Sequence, residues 1–352
     1  INMLIKGDII HQNLKKAKKL LQQKLNEQDS LYLMLYGKIM KKEKNYLLAM
    51  KFYGKSIELE NGEAMYEYGK LLSKQRGLLE RLNKDNSIYY YKQSMKQNFL
   101  KAFFKYGLIL KNEEKVEESN HFIQLAAEKG YAPALYHYYL ILYNSSKNKK
   151  LAYEYLEKAS DLGYTQAMFK YALYLFNMNK NEVYNEEAYQ LFKKASDKGH
   201  IDSMFYYSLM IIERNGDPET ASRYLEIAAE SGQADAMARY GNMLLFGEGV
   251  IADKEKALFY LKKGIEAGNA EAIKNYAFIK QHGYKIDIDK KEAIKYYKMA
   301  IDKGNADAMN NYGCMLQYGD NINIDKKKAI KYYKMAIDKL NPSAMYNYAY
   351  ML

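Results

Sequence analysis

Reactive side chains are sparse in this chain and do not gather. The five histidines, His11, His121, His137, His200 and His282, fall at unrelated positions, and no two have the spacing that holds a metal ion. Cys314 is the single cysteine; it has no disulfide partner and no histidine placed locally to make it a nucleophile, so it reads as a structural or surface thiol. Gly247-Glu248-Gly249 lacks the third glycine and the preceding strand of a dinucleotide site, and reads as a loop. Neither a kinase glycine loop nor a kinase catalytic-loop signature occurs. The expectation is no catalytic residue, no metal and no cofactor. Asn144-Ser145-Ser146 is a glycosylation triplet that would matter only in a lumenal protein.

The elements that carry these residues repeat. Ten tyrosines, Tyr36, Tyr68, Tyr106, Tyr138, Tyr171, Tyr207, Tyr240, Tyr276, Tyr312 and Tyr348, recur at intervals of 32 to 38 residues. Alanine stands four residues before eight of them, an apolar residue follows it, and a small residue succeeds nine of the ten tyrosines. Counted from the alanine position, offsets 0, 1, 4, 5 and 8 share one face of a helix, here helix A. A second helix, B, follows each of the first nine tyrosines. It carries small residues seven apart, such as Ala49 and Ser56 or Ala293 and Ala300, with two large ones between them, such as Tyr296 and Tyr297. Small residues two turns apart let a neighbouring helix approach closely. An incomplete helix B is expected around Ala17 and Lys24. Six B helices end at a glycine, from Gly130 to Gly304, and Pro133, Pro218 and Pro342 fall at helix starts. The span from helix B to the next tyrosine is constant at 12 residues, which predicts a joint fixed by packing; the span from tyrosine to the next B varies from 13 to 19, which predicts a surface loop.

Composition sets the outer limits. The chain has 352 residues, 48% hydrophobic and 27% charged, with ample apolar surface to offset chain entropy. Its net charge of +12 is spread among interspersed acids, so nucleic acid is not the expected partner. The alternative rests on Lys291, Lys295, Lys298, Lys327, Lys331 and Lys334, a stripe that reads as a solvated convex face or, less simply, as a contact for nucleic acid or an acidic membrane. No run approaches the roughly 18–20 apolar residues of a transmembrane helix. A lone cysteine favours a reducing, cytoplasmic setting; an endoplasmic-reticulum setting would need a signal upstream of Ile1.

The pattern resembles the Sel-1-like repeat family, a relative of the tetratricopeptide repeats. The resemblance is carried by Gly247, Gly249, Val250, Asp253 and Ala257, and in decayed form by Gly283, Asp289 and Ala293 and by Gly319, Asp325 and Ala329. It spans about residues 14–352, although the units around Tyr36 and Tyr106 have short loops and tyrosine stands where the family has leucine. The resemblance implies an all-α protein: a right-handed α-solenoid of stacked antiparallel helix pairs running through 1–352 as about ten repeats. It implies a non-enzymatic adaptor that binds proteins. Composition rich in Lys, Tyr, Asn and Ile is similar to that of proteins from AT-rich protist genomes, where such arrays can adjoin a protein-kinase domain; a regulatory region of a larger enzyme is therefore the alternative. The chain is expected to be a fragment, with Met345, Tyr348 and Leu352 of its last helix A left as an open docking edge.

The candidate binding residues lie at offsets 2, 3 and 6 of helix A, opposite the packing face, which in this family points to the concave side. Offset 2 reads Tyr66, Phe104, Tyr136, Phe169 and Phe205; offset 6 reads Leu108, Leu140, Leu173 and Leu209; offset 3 supplies Lys105, His137, Lys170 and Arg239. Two readings stand: the rings pack between adjacent A helices, or they line an apolar groove for a partner's helix or extended peptide. On the groove reading, Phe169→Ala lowers partner affinity and leaves stability nearly unchanged.

Overall fold

The computed structural model describes residues 10–24, 26, 28–74, 80–145, 148–178, 182–283, 287–320 and 322–351. Every regular element among them is a helix. The chain divides into two compact units, Ile1–Ala167 and Met168–Leu352, each taken by itself below. The first holds α1 (Ile10–Lys24), α2 (Ser30–Lys42), α3 (Tyr46–Glu58), α4 (Gly62–Leu72), α5 (Glu80–Lys96), α6 (Leu100–Asn112), α7 (Val116–Glu128), α8 (Ala132–Asn144) and α9 (Lys149–Asp161). The division falls inside α10 (Thr165–Met178). The second continues with α11 (Glu182–Asp197), α12 (Ile201–Glu213), α13 (Pro218–Glu230), α14 (Ala234–Phe246) and α15 (Lys254–Glu266). It ends with α16 (Ala270–His282), α17 (Lys290–Asp302), α18 (Ala306–Tyr318), α19 (Lys326–Ile337) and α20 (Pro342–Met351). Even-numbered helices are the A helices and odd-numbered ones the B helices.

The small residue after each anchoring tyrosine is what seats helix B. A Cβ added at Gly37 would come within 2.6 Å of the Tyr53 ring, and one at Gly313 within 2.7 Å of the Tyr333 ring. The fifth residue of the helix B signature (Tyr53, Tyr91, Phe192, Tyr297, Tyr333) is thereby fully buried against helix A. The residue before it meets the anchoring tyrosine. Ring centroids lie 4.7 Å apart for Tyr36 and Phe52, 4.8 Å for Tyr68 and Tyr90, 5.1 Å for Tyr240 and Tyr260, and 5.0 Å for Tyr312 and Tyr332. Each such pair contributes about 0.5–1.5 kcal/mol beyond the area it buries, so the tyrosine register is a set of equal clasps along each unit. The seven-apart small residues, Ala293 and Ala300 among them, are wholly buried.

The constant joint is one backbone geometry used repeatedly. The fourth residue after the second small residue of helix B has positive φ at Gly130, Gly163, Gly199, Gly232, Gly268 and Gly304, between 75° and 94°. Glu60, Asn98 and Leu340 take the same conformation at 56°, 53° and 61°. At Gly130 the N–H donates to Ala127 O (2.8 Å) and the next N–H to Ala126 O (3.0 Å), which closes the helix end. The variable loops differ in length, but three share a closure in which Asp253, Asp289 and Asp325 donate their N–H to Leu244, Lys280 and Leu316 O at 2.9 Å. Each of these aspartates also caps its following helix. Gly249 lies so close to Pro218 that a Cβ there would sit 2.2 Å from its carbonyl oxygen. In α20, Met345 is exposed and Tyr348 half-buried; Leu352, like Ser146 of the glycosylation triplet, lies outside the described residues.

Candidate protein-binding face

In the first unit the offset-2 rings lie half-buried on the seam between successive A helices, each against the aromatic residue that opens the next repeat. Tyr66 meets Phe99 at 5.3 Å and Tyr91 at 5.6 Å. Phe104 meets Tyr131 at 5.6 Å and His137 at 4.9 Å, and Tyr136 meets Tyr164 at 5.4 Å. Leu108, Leu140, Lys105 and His137 are likewise half-buried, one turn along or beside the rings. Burial, helped by Lys111, holds the His137 imidazole below its ordinary pKa, so it is the neutral ring that sits in this seam.

In the second unit the same offsets split. Phe205, Leu173 and Leu209 are half-buried and Lys170 is exposed, its ammonium 5.7 Å from the Phe169 ring centre. Phe169 itself is 9% exposed, packed on His200 (4.7 Å), Tyr206 (5.9 Å) and Phe192 (6.1 Å). Its placement opposite the packing face is therefore corrected: α11 of its own repeat and the next A helix, α12, cover this position, and the ring is buried. Arg239 lies 3.5 Å from Glu248 of its own repeat, so its charge is already partnered.

Farther along the second unit the aromatic row gives way to amides. Asn269, Asn305 and Asn341 each cap their A helix by accepting an N–H at 2.8 Å. Their Nδ2 groups donate to Asp235 (2.6 Å), Glu271 (3.1 Å) and Asp307 (2.6 Å), first-turn acids of the preceding A helix. Each asparagine thus closes its own helix and ties it to the one before. Asn275, buried, and Asn311 and Asn347, half-buried, occupy offset 3 of three successive repeats. This series is not among the candidates read from the sequence; the 36-residue recurrence of one residue type was the available signal.

The remaining candidates are placed as follows. Lys291, Lys295, Lys298, Lys327, Lys331 and Lys334 are all exposed on α17 and α19, and Lys298 and Lys334 reach to within 5.7 and 5.6 Å of the Tyr312 and Tyr348 ring centres. Burial pushes the Cys314 thiol up, away from the thiolate a nucleophile needs, and its sulfur lies 3.3 Å from the Tyr333 hydroxyl. Among the described residues no cluster of three or more His, Cys, Asp or Glu side chains could hold a metal ion, and no helix is long and apolar enough to cross a membrane.

Stacked antiparallel helix pairs, joined by one invariant B-to-A turn, define an α-solenoid repeat protein. Nine segments, residues 30–61, 62–99, 133–164, 165–200, 203–233, 234–269, 270–305, 306–339 and 342–352, match the Sel1 repeat, and the chain belongs to the Sel1 repeat family. The pair α6–α7 lies outside those matches yet keeps the same clasp, with Tyr106 and Phe122 centred 4.9 Å apart. A solved protein similar in fold is c5321, a protective antigen present in uropathogenic Escherichia coli strains displaying an SLR fold. It aligns with a TM-score of 0.61 and 17% identity over 85% of this chain and 66% of its own. The Sel1 repeat protein from Oxalobacter formigenes aligns with a TM-score of 0.51 and 23% identity over 91% of this chain and 92% of its own. No curated protein sequence matches the chain.

Proposed function

We propose that this chain is a non-catalytic adaptor that binds a protein partner through the face of its A helices turned away from the B helices, in a cytoplasmic setting. The observation that supports this most is the row of half-buried rings Tyr66, Phe104 and Tyr136, with Leu108 and Leu140 beside them and Lys105 at the edge. A face with no partner is expected to be polar; rings that are rigid, partly exposed and next to a cation are the kind of groups that anchor an interface. The repeat family, whose members present extended surfaces, is consistent with the same role. The test is affinity capture with the whole chain, followed by Phe104→Ala combined with Tyr136→Ala. Loss of a captured partner by about tenfold or more, with the melting temperature little changed, supports the reading. Capture that survives the double variant but fails on neutralising Lys295, Lys298, Lys331 and Lys334 would move the function to the lysine face.

A further inference from the structure

Asn275, Asn311 and Asn347 stand immediately before the anchoring tyrosine in three successive repeats, 36 residues apart. Two of the three are engaged with one another's surroundings: Asn347 Nδ2 donates to Asn310 Oδ1 at 2.8 Å, and Asn310 Nδ2 to Asn311 Oδ1 at 3.3 Å. Asn275 is different. It is 5% exposed, and its Nδ2 is buried without a hydrogen-bond acceptor. A buried amide donor left unpaired is unfavourable, and native structures seldom keep one without a use.

Asn275 lines an open cleft of about 240 Å³ on the second unit, together with Asn310, Asn311, Lys274, Leu245 and Phe278. Of the two charges at its edge, Lys274 is neutralised and Asp307 is hydrogen-bonded but keeps its charge. Lys274 pairs with Glu271, and Asp307 accepts from Asn341 Nδ2 at 2.6 Å. What remains for a ligand is a set of carboxamides beside apolar side chains, with the Asp307 carboxylate at the rim. A carboxamide offers one donor and one acceptor group, the same pair that a peptide unit presents, and an extended chain turns alternate side chains to opposite sides. The volume is below the roughly 300 Å³ at which pockets enclose a drug-sized molecule, which suits a few residues of a chain passing across the face. The Cβ–Cγ torsion of asparagine is soft, so the Asn275 amide can turn toward the cleft when an acceptor arrives.

We propose that this cleft grips an extended peptide of a protein partner by its backbone, with the Asn275 carboxamide donating to a peptide carbonyl and Asn311 beside it continuing the contact. The proposal rests on the adaptor reading above and assigns it a second, chemically distinct contact. It is tested by selecting a displayed library of random peptides, about twelve residues long, on the whole chain and measuring one enriched peptide by fluorescence polarisation. Asn275→Ala and Asn311→Ala are each expected to weaken that peptide about tenfold, while Tyr89→Ala, at an exposed side chain of a B helix, leaves its affinity unchanged. Alanine replacement of most peptide side chains, and amidation of its carboxyl terminus, should change affinity less than threefold. If Asn275→Ala lowers the melting temperature, the half-buried Asn311 carries the comparison. Unchanged affinity in both asparagine variants overturns the proposal and leaves the adaptor reading standing. So does loss of binding on amidation, which would make the ligand a chain-end carboxylate. Failure to enrich any peptide while a folded partner is still captured sinks this proposal alone; failure of both selections sinks both readings.

Discussion

At the joint before α6 the residue that opens the helix is Phe99, which makes no side-chain cap and instead packs its ring, tilted, against Tyr66. At the joint before α16 the same position is Asn269, which caps its helix and hydrogen-bonds to Asp235 of the previous A helix. Tyr131 repeats the first solution before α8, and Asn305 and Asn341 repeat the second before α18 and α20. The backbone at the joint is the same in both, with positive φ at Asn98 and at Gly268. A repeat fold therefore leaves the chemistry of this seam free. The aromatic solution buries apolar area without direction and leaves partly exposed rings; the amide solution is directional and leaves a polar face. That difference is why two kinds of contact are assigned to one type of helix face.

The largest test of the comparison is Phe169→Ala. Phe169 is the member of the aromatic series that lies in the core, so its truncation is expected to cost about 3–5 kcal/mol in chemical denaturation. A cost below about 1 kcal/mol would return the ring to the binding face. Next is Asn305→Ala, which removes a helix cap and the link to Glu271; the expected loss is about 1–2 kcal/mol. If it proves silent, the amide joints are not held by these bonds.

A smaller effect concerns pH, and it separates a titrating joint from its asparagine counterparts. His200 opens α12 and its Nδ1 accepts the Ser203 N–H at 3.2 Å, which only a ring unprotonated at that nitrogen can do. Burial lowers its pKa despite Asp202 nearby. The unfolded chain then binds a proton first as pH falls below about 7, so stability is complete above that range and declines as the solution is acidified. His200→Asn keeps a cap and removes the titration, and should flatten the fall in melting temperature between about pH 7.5 and 5.5. An equal fall in both proteins would place the acid sensitivity elsewhere. The smallest effect is a gain. Leu340 holds φ at 61° and is exposed, so Leu340→Gly should stabilise the last joint by about 0.5 kcal/mol, and a loss of stability would show that the leucine side chain contributes there.

Much of this was legible in the sequence. Helix pairing followed from two periodicities, and the small residues seven apart in helix B predicted a close helix approach; that the glycine after Tyr312 makes room for the Tyr333 ring appears only in the structure. The joint was legible as a constant spacing, and the six glycines named its conformation. The side-chain environment of Phe169 was not legible, because a helical wheel describes one helix and its own partner. Position 2 also borders the following repeat, and only the packing of rings such as Tyr206 shows how much of it is covered. The amide row was visible as letters, but its meaning needed the unpaired Asn275 donor beside a cleft.

The central claim is that the A helices present the binding face. Hydroxyl-radical footprinting of the whole chain, with and without a captured partner at saturation, measures it directly. Protection should fall on Tyr66, Phe104 and Tyr136, with the exposed B-helix side chains Tyr89 and Phe259 unchanged. Protection of Tyr89 and Phe259 with the A-helix rings unaltered would contradict the account.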